Sequence, residues 1–272
     1  MKRVICYSGG HSSGLVAIEV ARRHPDDEIV LLNHDLPFWT EDADIKRFKR
    51  AVAEYLGLPV TYANHANAQR DQFDVTVEKK AFKVDGGTEL CTSALKTVPF
   101  MKWLTANADP DDTVCYYGFD ANEPARIQRR SSIMGAMGWK TDYPLALWSD
   151  RTIVSTLEIG IPLPNTYGVF KHANCVGCLK AGWQHWYVVY CTRPDIWIKG
   201  KWAEDEIGYA IHHDESGAVY LEDMEDRFER MKSAGIPATE HIQPQRFWAQ
   251  AKKIIAVQQI FDTKPCECYD AA

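Results

Sequence analysis

The sequence predicts an α/β fold with a parallel sheet, on three observations. Strand-like and helix-like segments alternate through the first half, the early strands are nearly all apolar, and a glycine-serine loop follows the first strand. Residues 4–7 (Val-Ile-Cys-Tyr) form a short β-prone run. Residues 15–23 then read as a helix, with Leu15 and Ile18 toward a core. Glu28–Asn33 is the next strand, apolar enough to be covered on both faces. Thr40 is the expected N-cap of a second helix, with Glu41, Asp42 and Asp44 in its first turn. Ile45, Phe48, Val52 and Leu56 form its stripe, and Gly57 ends it. Residues 59–62 and 113–117 are the following strands, and Gly118 comes directly after the second. Parallel strands joined in this way need right-handed crossovers, and ligands bind beyond their carboxyl ends. The loops after Tyr7, Asn33 and Tyr117 are therefore where a site is expected.

Composition narrows the function classes. The chain has 272 residues, 31 basic and 37 acidic side chains, and a formal net charge of −6. That length supports a substantial core in one or two domains. Apolar content of 46% with 25% charged residues excludes wholesale disorder. The charge excludes the global basic field of a dedicated DNA binder. No apolar run approaches the roughly 20 residues of a membrane span, and the first residues do not read as a signal peptide. A cytoplasmic protein is the expectation. In that compartment eight cysteines point to metal or redox chemistry more than to disulfides.

Ser8-Gly9-Gly10-His11-Ser12-Ser13-Gly14 lies between the first strand and the first helix. Glycines allow a tight turn and close approach, while hydroxyls and helix N-terminal amides offer neutral donors to a phosphate or pyrophosphate. The loop is neither a Walker A loop nor a Gly-x-Gly-x-x-Gly fingerprint. Asp35 follows the second strand, and Lys96, Arg126, Arg129 and Arg130 are cations suited to phosphate charge, with at least one of Arg129 and Arg130 expected on a solvated face.

Cys175-Val176-Gly177-Cys178 is a Cys-x-x-Cys pair, half of a metal or cluster site or a redox dithiol. Cys6 and Cys115 read as core thiols, and Cys191 as either core or ligand. Cys266 and Cys268 close the chain as further ligands or a relay pair. His212-His213-Asp214 reads as an exposed turn, and Trp183, Trp186, Tyr187 and Tyr190 as core at helical spacing. Lys171, His172, Lys180 and His185 surround the Cys-x-x-Cys, either guiding an anion or solvating the loop.

The Ser-Gly-Gly-x-x-Ser loop resembles that of the PP-loop ATP pyrophosphatase superfamily, with Ser12 where many members carry an acidic residue. Within it the chain is similar to the phosphoadenylylsulfate reductase-like branch, which includes DNA phosphorothioation sulfurtransferases and phage and plasmid relatives. Cys91-Thr92-Ser93-Ala94-Leu95-Lys96-Thr97-Val98-Pro99 resembles the branch's Cys-Cys-x-x-x-Lys-x-x-Pro segment. Gly118 to Arg126 resembles its Gly-x-x-x-x-Glu-x-x-Arg stretch, and Tyr143-Pro144-Leu145, Trp148, Gly160-Ile161-Pro162, Asn165 and Tyr167 its later landmarks.

The resemblance implies an adenine nucleotide alpha hydrolase-like three-layer sandwich. A PP-loop nucleotide-binding domain would span residues 1–164, with a cysteine-containing cluster or substrate region at 165–272 packed on it. It implies ATP binding by Ser8, Gly9, Gly10, His11, Ser12, Ser13 and Asn33, with Mg²⁺, and catalytic roles for Lys96, Arg126 and Asp35. Cys91, Cys175, Cys178 and Cys268 would hold a [4Fe–4S] cluster, with Cys266 or Cys191 as alternative fourth ligands and zinc as the alternative metal. The implied activity is adenylylation of an acceptor oxygen followed by sulfur transfer, foremost in DNA phosphorothioation. Implied partners are a cysteine desulfurase or other sulfur donor, and DNA held through partner proteins, with no membrane; oligomerisation is left open. A sulfonucleotide reductase, a tRNA thiolase and a nucleotide- or cluster-binding regulator are the alternatives. The tail Cys-Glu-Cys-Tyr-Asp-Ala-Ala lacks the Glu-Cys-Gly-x-His segment of the reductases.

Overall fold

The computed structural model describes residues 1–65, 69–83, 89–173, 175–215 and 217–255; Cys266 and Cys268 lie outside them. Its frame is five parallel strands: β1 (Lys2–Cys6), β2 (Glu28–Asn33), β3 (Val60–Tyr62), β4 (Thr113–Tyr116) and β5 (Lys140–Asp142). They are ordered β3-β2-β1-β4-β5, with Val4 at the centre paired to Val30 and Cys115.

Alternation along each strand sends side chains to opposite layers. Ile5, Tyr7, Leu31 and Tyr116 pack with α1 (His11–Arg23) and α2 (Ala43–Leu56). Val4, Leu32, Cys115 and Tyr117 pack on the other face with α5 (Val98–Asn107) and α6 (Pro124–Ala136). Helices thus cover both faces, giving three layers. Successive strands run outward from β1 in one direction and then resume on its other side. The divergence point between β1 and β4 is where such sheets open a crevice.

Local details depart from the sequence reading. Helix α1 begins at His11, inside the glycine-serine loop, so Ser12 and Ser13 belong to its first turn. Asp42, not Thr40, caps α2 by accepting from the Asp44 amide at 2.8 Å. Thr40 is buried in the preceding turn, where its carbonyl accepts from Val176. Gly57 ends α2 with φ of 65°, as expected. Strand β5 has no apolar alternation to announce it and depends on its pairing with β4.

From Leu90 the chain is helical through α4 (Leu90–Thr92), a π turn (Ser93–Thr97) and α5. Pro99 lacks the N–H that would bond Leu95 in a regular α-helix, and the Val98 amide reaches five residues back to Ser93 instead.

A second core is mostly helical. It combines α3 (Gln72–Lys79) with α8 (Trp183–Thr192), α9 (Pro194–Ile207), α10 (Glu225–Ser233) and α11 (Pro244–Ile255). Phe73, Trp186, Tyr187, Ile196, Phe228 and Phe247 are its buried centre. Trp186 and Tyr187 are thus core, and Trp183 and Tyr190 are partly buried. Helix α3 therefore crosses the sequence division at 164 and packs with the later helices. His212 lies in a strand, not a turn, and its ring centroid is 4.1 Å from that of Trp183. Among the described residues no helix is long and apolar enough to cross a membrane.

Candidate functional site

The glycine-serine loop leaves β1 at the divergence point. Gly9 adopts φ of 84°, and a Cβ there would stand 2.8 Å from Lys49 Cε, so glycine is required on two counts. Ser13 Oγ donates to the Gly10 carbonyl at 2.8 Å, and Ser8 Oγ lies 3.2 Å from it. Gly118, at the end of β4, packs so closely that its Cβ would come 3.1 Å from the Ser13 nitrogen. Ser8 and Ser12 are exposed. The result is a neutral-donor cradle at the amino end of α1, suited to an anion. Burial lowers the His11 pKa, and its Nε2 accepts from the Thr156 amide at 3.3 Å; this histidine adds no positive charge. The His11 amide donates to Tyr167 Oη at 3.0 Å.

A chain of polar contacts runs away from the loop. Asn33 donates through Nδ2 to the Tyr7 carbonyl and accepts through Oδ1 from Lys49 Nζ at 2.8 Å. Lys49, 1% exposed at its side chain, also donates to both Glu41 carboxylate oxygens at 2.9 Å. Burial lowers the Lys49 pKa, while Glu41 opposes that shift. Lys46 bonds Asp35 at 2.6 Å and approaches Glu41 at 3.7 Å. Asn33 and Asp35 thus belong to one connected network, with Asp35 already paired.

The three cysteines of interest share one lysine. Negative charge on Cys175 raises the Lys96 pKa, burial opposes the rise, and Cys178, Cys91 and Glu41 reinforce it. Burial pushes the Cys91 thiol up to about 12, with Cys178 and Cys175 adding to the effect. Burial, then Cys175, pushes Cys178 up to about 11. One ammonium compensates at most one thiolate here, so holding all three deprotonated would require a cation of greater charge. That charge requirement suits a metal or cluster in sign alone. Among the described residues, however, no three His, Cys, Asp or Glu side chains gather into a set that would hold a metal ion. His34 lies beside this centre; burial and then Lys96 push its pKa to about 4.

The Cys175–Cys178 loop is gripped from several directions. The Val176 amide donates to the Thr40 carbonyl at 2.9 Å. Gln72 Nε2 donates to the Val176 and Gly177 carbonyls at 2.8 and 3.2 Å. The Gly177 and Cys178 amides both point at His185 Nε2, at 3.0 and 3.3 Å. Accepting there places the ring proton on Nδ1, which faces Glu240 Oε1 at 2.5 Å. Gly177 has φ of 71°, and a Cβ would strike Ile196 at 2.5 Å. Lys180 pairs with Glu89 at 3.0 Å. His185 and Lys180 are thus built into the loop's support, not left in solvent around it.

Arg126 pairs with Glu123 and lies over Phe119, 4.2 Å from its ring centroid. Arg130 lies over Tyr117 at 5.4 Å. Their rings, with Tyr143, stack at centroid distances of 5.6 to 5.9 Å beside Gly118. Arg129 is exposed. Burial lowers the His172 pKa, and its charged surroundings include Glu240, Lys171, Glu123 and Arg126.

The three other described cysteines lie in other parts of the core. Cys115 is fully buried, and the Cys6 thiol is pushed up to about 12 by burial. Cys191 lies in α8 against Tyr187, Lys232 and Glu229. Sequence reasoning missed Glu41, Lys49, Gln72 and Glu240. Only Lys49 left a signal, as a lysine four residues after Ile45 on the buried stripe of α2. No protein-family profile matches the chain, and no curated protein matches it.

Proposed function

We propose that the protein is a PP-loop ATP pyrophosphatase that activates an acceptor oxygen for sulfur transfer, with a nucleic-acid phosphate as the leading acceptor. One observation carries the reading: the neutral cradle at α1 is tied through Asn33 and Lys49 to Glu41, whose charge also acts on Lys96 among the cysteines. Phosphate-binding and sulfur-bearing groups would then serve one reaction.

In this reading the amides and hydroxyls of Ser8, Gly9, Gly10, His11, Ser12 and Ser13 hold the β- and γ-phosphates of ATP–Mg²⁺. Tyr167 yields its place on the His11 amide to the nucleotide. The acceptor oxygen attacks the α-phosphorus, the α–β phosphoanhydride bond breaks, and pyrophosphate leaves. Lys96, and Arg126 once it exchanges Glu123 for phosphate, stabilise charge in that step. Asp35 holds Lys46 at the rim. The terminal sulfur of a persulfide from a donor such as a cysteine desulfurase then displaces AMP. A second thiol attacks the donor's sulfur, breaking the S–S bond as a disulfide forms and freeing the thiolated acceptor. Cys91, Cys175 and Cys178 would hold an iron–sulfur cluster or, as the alternative, zinc, which would supply the positive charge that their thiolates need. The acceptor DNA requires partner proteins against the −6 net charge.

The test is release of AMP and pyrophosphate from ATP in the presence of DNA or tRNA. Ser12→Ala should reduce it, and Lys96→Met should reduce it by about 10²-fold. Sulfite release from phosphoadenylylsulfate without pyrophosphate formation from ATP would replace the reading with a reductase. Anaerobic purification with iron, acid-labile sulfide and zinc analysis decides the metal.

A further inference from the structure

Residues 167–173 lie across the phosphate loop. A Cβ on Gly10 would stand 3.2 Å from Tyr167 Oη and 3.3 Å from Ala173 Cβ. This strap is tied to the segment before α11. The Glu240 amide donates to the Val169 carbonyl at 2.9 Å, and the Lys171 amide donates to Glu240 Oε2 at 2.9 Å. The His241 ring nitrogen lies 2.6 Å from the Tyr167 carbonyl. The other oxygen of the same carboxylate faces His185 Nδ1, and His185 Nε2 receives the Gly177 and Cys178 amides. One side chain therefore holds the cover of the phosphate loop with one oxygen and, through one imidazole, the cysteine loop with the other.

We propose that Glu240 is a positioning residue that couples the strap over the phosphate loop to the Cys175–Cys178 loop, so that occupancy of one sets the geometry of the other. The carboxylate is well suited to this. A carboxylate accepts at both oxygens, whereas a glutamine in its place would offer one acceptor and leave one of the two donors unanswered. Displacing Tyr167 from the His11 amide would move the strap, the Lys171 amide and then the carboxylate on which His185 depends. The coupling to nucleotide rests on the function proposed above; the mechanical link through Glu240 does not.

Two measurements separate them. Without nucleotide, hydrogen exchange should quicken about tenfold at both residues 167–173 and residues 175–178 in Glu240→Ala, with β1 and β2 unchanged. His185→Gln should quicken only the cysteine loop. Glu240→Asp, one methylene shorter, should loosen both segments to a smaller extent and replaces the alanine variant if that one does not fold. Loosening of one segment alone in the Glu240 variants would overturn the link. With ATP and magnesium, the unsubstituted protein should show hydrogen exchange at residues 175–178 slowed about tenfold, and Glu240→Ala should lose that response while still binding ATP. A response retained in Glu240→Ala would overturn the coupling. An unsubstituted protein that binds no ATP would overturn the function proposed above, with the exchange result still deciding the link.

Discussion

Two loops meet at the candidate site, and they are built by opposite means. In the glycine-serine loop, the bonds from Ser13 Oγ and the Gly14 amide to the Gly10 carbonyl span three and four residues. In the cysteine loop, Thr40 and Gln72 hold Val176 and Gly177 from more than 100 residues away. Partners that reach the first loop from afar, Tyr167 and Lys49, bear on what can enter it and what lies beneath it. The first loop carries its shape in its own sequence; the second borrows its shape from the assembled fold.

That contrast is open to test, beginning with the largest effect. Lys49→Met leaves Glu41 buried without its ammonium and should cost about 3–5 kcal/mol in chemical denaturation. It should leave the bonds within the glycine-serine loop intact, as read by hydrogen exchange at Ser13 and Gly14; melting of that loop alone would break the contrast. Gly177→Ala should cost about 3 kcal/mol, since Ile196 and Phe73 close on the added methyl and the backbone is left-handed. A cost near zero by the same measurement would mean that the helical core does not clamp the cysteine loop.

The pH dependence separates the two sides further. Glu204 in α9 is buried and accepts the Ile211 and Leu221 amides; burial pushes its pKa to about 7 from 4.5. Between those values the folded state binds the proton and the unfolded state has released it, so stability falls as pH rises from about 4.5 to about 7. The loss should be about 2 kcal/mol, and Glu204→Gln should flatten the slope in denaturation midpoints taken across that range. At the small end, Ser13→Ala should cost about 1 kcal/mol, confined to the first turn of α1.

What could be read in the sequence follows the same divide. β1, β2, the stripe of α2 and the Gly57 stop were legible because hydrophobic period and glycine geometry are local. The tight glycine-serine turn was legible for the same reason. Thr40 misled because two acceptors stand close together ahead of α2, and the one with the shorter reach to Asp44 makes the cap. β5 was invisible because Lys-Thr-Asp acquires its conformation only from β4. Glu240 carried no signal, since its partners at 169, 171 and 185 become neighbours only after the helical core forms.

The position of α3 bears on how the protein can be taken apart. Phe73 is fully buried in a core whose buried aromatic side chains otherwise come from residue 170 onward. A gene divided at 164 would yield a later fragment with a hole where Phe73 belongs, and an earlier fragment with a sticky helix. Neither half should be purified alone as a faithful copy of its part. The two should be sought by co-expression, where the earlier piece completes the later one.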